Sequence, residues 1–283
     1  MILITGAAGK TGLAIIKLLA QSGNQSRAFV RTKEQAGKAT SAGATEITIG
    51  DLEIENDLAT AMHGVDQVYF IPPNVHPNED EIGKNAVVSA LKMGVRRFVY
   101  HSVLFPQIER MPHHWRKLRV EEILIESGLD FSILQPANYM QNVLAFRSSI
   151  EKDHIWHLPY APEARSTPVD LLDVATVAAK VLNEDKHSRA TYALGGPEIL
   201  SSIDIAKLLS SYLGMQISVS RQNIPEWEYS AIQAGVTNER IETLKMMFSY
   251  YDQRDFVGNS SILEMLLERA PLSFSEFLAR DWK

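Results

Sequence analysis

Short apolar runs alternate with longer amphipathic stretches through the first half of the chain. Ile2-Leu3-Ile4 is an apolar run of strand length. A glycine-rich turn follows it, then Leu13-Ala14-Ile15-Ile16-Lys17-Leu18-Leu19, whose spacing is helical. Ser26 to Arg31 predicts a second strand and Glu46 to Asp51 a third. Asp57 to Met62 reads as a short helix ending at Gly64, and Gln67 to Ile71 as a fourth strand stopped by Pro72-Pro73. Glu79 to Met93 has helical periodicity and a terminal Gly94. Arg97 to Ser102 predicts a fifth strand, His114 to Ser127 a helix closed by Gly128, and Asp130 to Gln135 a sixth strand. Alternation of this kind implies a doubly wound parallel sheet with right-handed crossovers.

After Pro136 the rhythm breaks. Tyr139 to Lys152 reads as helical and His154 to Arg165 as irregular. Thr167-Pro168-Val169 suggests a short strand, with Asp173 capping a helix from Val174 to Leu182. Ala190 to Leu194 and Gln216 to Ser220 read as strands, and Ser201 to Leu213 as an amphipathic helix capped by Ser201 or Ser202. The remainder is mostly helical, to Phe274-Ser275-Glu276-Phe277-Leu278. The expected division is a nucleotide-binding domain over 1–140, with return excursions around 165–195, and a smaller α+β lobe over 141–283. Ligands of open α/β sheets bind outside the carboxyl ends of the strands, so a cleft between that edge and the lobe is the expected site.

Composition narrows the field. The 283 residues can build one large α/β domain or a main domain with a lobe. Net charge is −6 without a long basic block, which argues against a nucleic-acid groove. Cysteine is absent, which excludes disulfides and thiolate chemistry and fits a reducing cytoplasm. The first strand begins at Met1 or Ile2, leaving no room for a signal peptide, and no apolar run approaches the roughly 20 residues of a membrane span. His154 and His157 have no third ligand at matching spacing, so no metal is expected. No Gly-x-Ser-x-Gly elbow supports hydrolase chemistry. The cluster Met246-Met247-Phe248 with Tyr250-Tyr251 reads as core or as a pocket lid.

The chemistry concentrates in Gly6-Ala7-Ala8-Gly9-Lys10-Thr11-Gly12. A strand, a G-x-x-G-x-x-G turn and a helix form a dinucleotide-phosphate cradle. The glycines let backbone approach a pyrophosphate, and the helix aims free N–H groups at it. Gly9-Lys10-Thr11 mimics the end of a nucleotide-triphosphate loop, but that motif needs glycine at position 4, where Ile4 stands. An acid at the end of strand two would bond an adenosine 2′-hydroxyl and repel a 2′-phosphate. Here Arg31 and Lys33 precede the first acid, Glu34, which favours NADP(H) over NAD. Asp51, with Leu52 beside it, ends strand three, where it either meets the adenine or holds a turn. Ile71-Pro72-Pro73 either passes beneath the cofactor ribose or is a rigid stop.

The chain resembles the NmrA-like family of atypical short-chain dehydrogenase/reductases. The resemblance rests on the glycine turn, Phe29-Val30-Arg31, Phe98 to Val103, Lys117-Leu118-Arg119-Val120-Glu121-Glu122, Leu134 to Asn142 and Tyr192 to Glu198. It covers most of residues 1–215 and fades afterwards. It implies a Rossmann-type fold with a C-terminal substrate lobe. It also implies one of two functions: NADPH-dependent reduction of a quinone, dye or similar flat apolar electrophile, or dinucleotide sensing without turnover through a regulatory protein partner. Sugar epimerisation is a weaker third reading. Reductases of the wider superfamily use Tyr-x-x-x-Lys with a serine on strand five. Lys117 matches the lysine and Ser102 the serine, but His113 stands where the tyrosine would be. That departure removes the usual proton donor, and His113 is either an acid or a substrate contact in its place. The resemblance also sets Pro136 near the nicotinamide and turns Tyr139, Met140 and Asn142 toward the lobe, where they line a substrate pocket or pack its core.

Overall fold

The computed structural model describes Met1–Lys283. Its first half alternates strand and helix: β1 (Ile2–Ile4), α1 (Lys10–Gln21), β2 (Ser26–Val30), α2 (Lys33–Ala42), β3 (Glu46–Ile49), α3 (Glu55–Met62), β4 (Gln67–Phe70), α4 (Glu79–Lys92), β5 (Arg97–His101), α5 (Pro112–Glu126) and β6 (Asp130–Pro136). A 3₁₀ helix (Met140–Phe146) follows, then α6 (Arg147–Asp153), β7 (Ile155–Leu158), β8 (Arg165–Ser166), α7 (Leu171–Asn183) and β9 (Ala190–Leu194). The chain ends with β10 (Leu200–Ser201), α8 (Ser202–Leu213), β11 (Ser218–Arg221), α9 (Ile224–Gln233), α10 (Asn238–Tyr251), α11 (Ser261–Leu267) and α12 (Phe274–Asp281).

Seven strands form one sheet in the order β3-β2-β1-β4-β5-β6-β9. The five pairings from β3 through β6 are parallel. The order reverses between β1 and β4, which makes this a Rossmann-type doubly wound sheet and marks the switch point where such sheets bind ligands. β1 (Ile2-Leu3-Ile4) and the centres of β4 (Val68-Tyr69-Phe70) and β5 (Phe98-Val99-Tyr100) are buried apolar runs because central parallel strands are covered on both faces. Leu3, Val68, Phe98 and Phe131 pack with Ala61 of α3, Ala86 of α4, and Val120 and Leu124 of α5.

The chain divides into two compact units. The first is Met1–Gln107, His114–Gln135 and Val174–Tyr192; the second is Ile108–His113, Pro136–Asp173 and Ala193–Lys283. The second unit has its own core, in which Trp156 and Leu158 of β7, Ile205 and Leu209 of α8, and Phe274 and Phe277 of α12 are all buried. It holds two further small sheets, β8 with β10 antiparallel and β7 with β11 parallel. No helix is long and apolar enough to cross a membrane.

Three local expectations are corrected. The segment from His154 to Arg165 is not wholly irregular, since it contains β7. Thr167-Pro168-Val169 is not a strand. Pro168 has no N–H to give a ladder, so the strand falls at Arg165–Ser166 and Val169 makes only a lone bridge to Tyr139. Asp173 is not the cap of its helix. α7 starts at Leu171, Asp170 Oδ1 accepts from Leu172 N at 2.7 Å, and Asp173 is buried within the first turn. There Asp173 accepts from Arg269 Nη2 at 2.6 Å and Leu272 N at 2.7 Å.

Candidate dinucleotide site

The glycine turn is built from backbone. Gly6 takes φ +57°, and Gly9 N donates to Gly6 O at 2.9 Å. A Cβ at Gly12 would lie 2.5 Å from Gly6 O and 2.7 Å from Ala7 Cα, so only glycine lets α1 start this close to the turn. Thr5 Oγ1 ties the turn to β4, donating to Ile71 O at 2.9 Å and accepting from Ile71 N at 2.7 Å. Six other helices begin on a capping side chain: Thr32, Asp170, Ser201, Asn223, Thr237 and Ser273. α1 begins on Gly9 with no side-chain cap, which leaves its first-turn N–H groups for an anion.

A cleft of about 420 Å³ opens over this turn, at the carboxyl ends of β1 to β4 in the first unit. Of the expected cradle residues, Gly6, Ala7, Ala8 and Gly9 line it. Lys10, Thr11 and Gly12 lie in α1 and do not. Arg31, Asp51, Leu52, Ile71, Pro72 and Pro73 all line the cleft. Asp51 also holds its own loop: its Oδ1 accepts from Glu53 N at 3.0 Å and its N–H donates to Asp57 Oδ2 at 2.9 Å.

Lys33 is absent from the lining, and Lys38 stands in it with Gln35. The reason is helical phase. Thr32 caps α2 by accepting from Gln35 N at 3.2 Å, and positions 35 and 38 then share a face. Gln35 Oε1 accepts from Arg31 N at 2.8 Å, joining the end of β2 to that face. Lys38 pairs with Glu34 at 2.8 Å.

A second polar group gathers at the ends of β5 and β6, around α5. Ser102 N donates to Leu134 O at 2.8 Å. Ser102 Oγ donates to Glu121 Oε1, whose carboxylate also takes two hydrogen bonds from Gln135 Nε2 at 2.9 and 3.0 Å. Lys117 Nζ donates to Glu79 Oε1 at 2.5 Å. Burial pushes both Glu79 and Glu121 up, against the lysine beside the first and the hydrogen bonds to the second. Tyr69 and His101 share a buried hydrogen bond of 2.7 Å, and burial lowers His101 to about 3. His114 Nδ1 donates to Phe105 O at 3.1 Å, and burial lowers it to about 4.

Glu79 and Glu121 escaped the sequence reading. Glu121 was detectable, because it stands one turn beyond Lys117 on the same face of α5. Nothing local marks Glu79, which meets Lys117 from 38 positions away. His113, Pro136, Tyr139 and Asn142 fall in the second unit and do not line the cleft. His113 is buried in the first turn of α5, Pro136 ends β6, Tyr139 bridges Val169, and Asn142 N donates to Tyr139 O at 3.1 Å. No group of three His, Asp or Glu side chains is arranged to hold a metal ion.

Known proteins share this architecture. The model of the NmrA-like family matches residues 1–278. The NAD(P)H azoreductase of Xenophilus azovorans is 24% identical over 279 residues, which is 98% of this chain and 96% of the relative. The NADPH-dependent quinone oxidoreductase of Escherichia coli, in complex with NADPH, matches over 100% of both chains with a TM-score of 0.86 at 21% identity. The triphenylmethane reductase of Citrobacter sp., in complex with NADP(H), matches over 99% of both chains with a TM-score of 0.86 at 23% identity. At such identities the structural likeness establishes the shared fold.

Proposed function

This chain belongs to the NmrA-like family, and on that premise we propose that it is an NADPH-dependent reductase of a quinone, dye or similar flat electrophile. One observation carries the reading: the cleft over the glycine turn is lined by Arg31, at the strand end where an acid would select NAD, and by a second cation, Lys38 of α2. The residues present fit a dinucleotide. The uncapped first turn of α1 and the backbone of Gly6 to Gly9 suit a pyrophosphate. Arg31 and Lys38 suit a 2′-phosphate, Asp51 and Leu52 an adenine, and Ile71 to Pro73 a ribose. NADPH bound there supplies a hydride.

The chain's own part is to bind, orient and balance charge. Lys117 contacts the nicotinamide half of the cofactor. Ser102 has its proton committed to Glu121, so it faces any ligand as a hydrogen-bond acceptor. This suits a quinone better than a simple carbonyl, because a quinol oxyanion is a weak base and needs little acid assistance. Tyr139 and Asn142 are the proposed substrate contacts, and His113 the residual proton source. The named activities of the azoreductase, quinone oxidoreductase and dye reductase relatives support the same class of acceptor.

The test is NADPH oxidation followed with a panel of small quinones and azo dyes, without added flavin. Turnover that is faster with NADPH than with NADH supports the reading. Tight NADPH binding with no oxidation by any acceptor overturns it, and identifies a dinucleotide sensor instead.

A further inference from the structure

Glu79 is the first residue of α4, and its side chain is 0% exposed. The only hydrogen bond it makes is through Oε1, to Lys117 Nζ; Oε2 is buried without a partner. Lys117 is 8% exposed, and its ammonium stands 5.9 Å from the ring centroid of Tyr100, next to the last residue of β5. Burying two charges is costly, and a half-satisfied buried pair is poor evidence of added stability. Helix α4 does not need this carboxylate, since Asp80 and Glu81 already supply negative charge to its first turn. The pair does fix the place of one cation, at the sheet edge where ligands of such folds bind.

We propose that Glu79 is a positioning residue for Lys117, tethering its ammonium at the carboxyl end of β5 so that it meets the dinucleotide in one place. The inference rests on the reading of Lys117 as a cofactor contact. Without the carboxylate, the ammonium loses its hydrogen-bonded partner and keeps only the unbonded charge of Glu121, and a buried ammonium without a paired carboxylate gives up its proton more easily. The groups that face the pair are Arg116, His114 and Glu121 on α5, His76 ahead of α4, and Tyr100 and His101 on β5. His101 and His114 are held neutral by burial, at about 3 and about 4, and burial keeps Tyr100 protonated. These three therefore add no titration of their own near neutral or mildly alkaline pH.

Two measurements test the tether, one of them independent of function. In ¹H–¹⁵N spectra of the lysine ammonium groups, the protein should give one exchange-protected signal that Lys117→Arg removes. Glu79→Gln should abolish or shift it. An unchanged signal in Glu79→Gln, or no such signal in the parent protein, overturns the proposal. NADPH titrations then compare the parent, Glu79→Gln and Lys117→Met. From about pH 7 to about pH 9.5, Glu79→Gln should lose about tenfold in affinity relative to the parent, while Lys117→Met is weak throughout. Parallel curves for Glu79→Gln and the parent overturn the proposal. A parent protein that binds no NADPH overturns the cofactor reading instead, and the ammonium signal alone then decides the tether.

Discussion

Gly9 and Gly12 stand three residues apart and answer to different demands. A side chain at Gly12 collides with the backbone of Gly6 and Ala7, which cannot move aside. Gly12→Ala should therefore lower stability by about 1–3 kcal/mol, read as a lower midpoint of denaturant unfolding. A Cβ at Gly9 meets only Gly6 O, at 3.2 Å, and Gly9 lines the cleft. Gly9→Val should keep its circular dichroism spectrum and lose dinucleotide binding. Unchanged cofactor affinity in that variant would remove the cradle from the account. Arg31→Asp should narrow or reverse the preference for NADPH over NADH, because losing a charge-assisted contact costs about 1.5–3 kcal/mol, or roughly 10–150-fold. Fluorescence titration with both cofactors checks it. The glycine spacing and Arg31 were legible because each acts within a few residues of its own strand end. Lys38 was hidden behind Lys33 because proximity in sequence competes with helical phase, and the cap at Thr32 sets that phase.

Elements are held by caps and by a few buried bridges. Ser201 and Asp204 form a reciprocal capping box at the start of α8. Hydrogen bonds from Ser201, with Lys207 assisting, lower Asp204 from 3.8 to about 2. A depressed carboxyl stabilises the fold above its unfolded value and loses that contribution as pH falls through about 2. Ser201→Ala should cost about 0.5–2 kcal/mol near neutral pH, and the difference in thermal midpoint should shrink as the acid limb is approached. Arg97 of β5 is 2% exposed and ties three elements together. It donates to Asp130 Oδ2 at 2.9 Å, to Glu184 O at 2.8 Å and to Val181 O at 3.3 Å. Arg97→Ala leaves all three acceptors without it and should cost about 3–5 kcal/mol in denaturant unfolding. The cap at Ser201 was legible as one of two neighbouring serines. The sequence Asp170-Leu171-Leu172-Asp173 offers two acids for one cap, and only tertiary contacts from Arg269 and Leu272 decide between them.

At the scale of the whole molecule, the first six strands and their winding into a parallel sheet followed from local period and punctuation. Each parallel crossover there spans a short, strongly patterned stretch of chain. The second unit was less legible because its small sheets join distant segments. β7 pairs with β11 about sixty residues later, and β8 with β10 across α7 and β9. Four residues with two histidines among or beside them carry too little alternation to announce β7, although Trp156 and Leu158 are buried by it. The candidate site shares this asymmetry: the glycine turn that lines its cleft was readable, and the carboxylates Glu79 and Glu121 behind Lys117 and Ser102 needed the fold.

The central claim is direct hydride transfer from NADPH to an acceptor. A single-turnover reaction between protein-bound NADPH and a small quinone, without flavin, tests it most directly. NADPH carrying deuterium at the transferred position of nicotinamide C4 should react more slowly than the protiated cofactor. One quinol should form for each NADPH consumed. Bound NADPH that stays reduced in the presence of every quinone and azo dye tried would contradict the account.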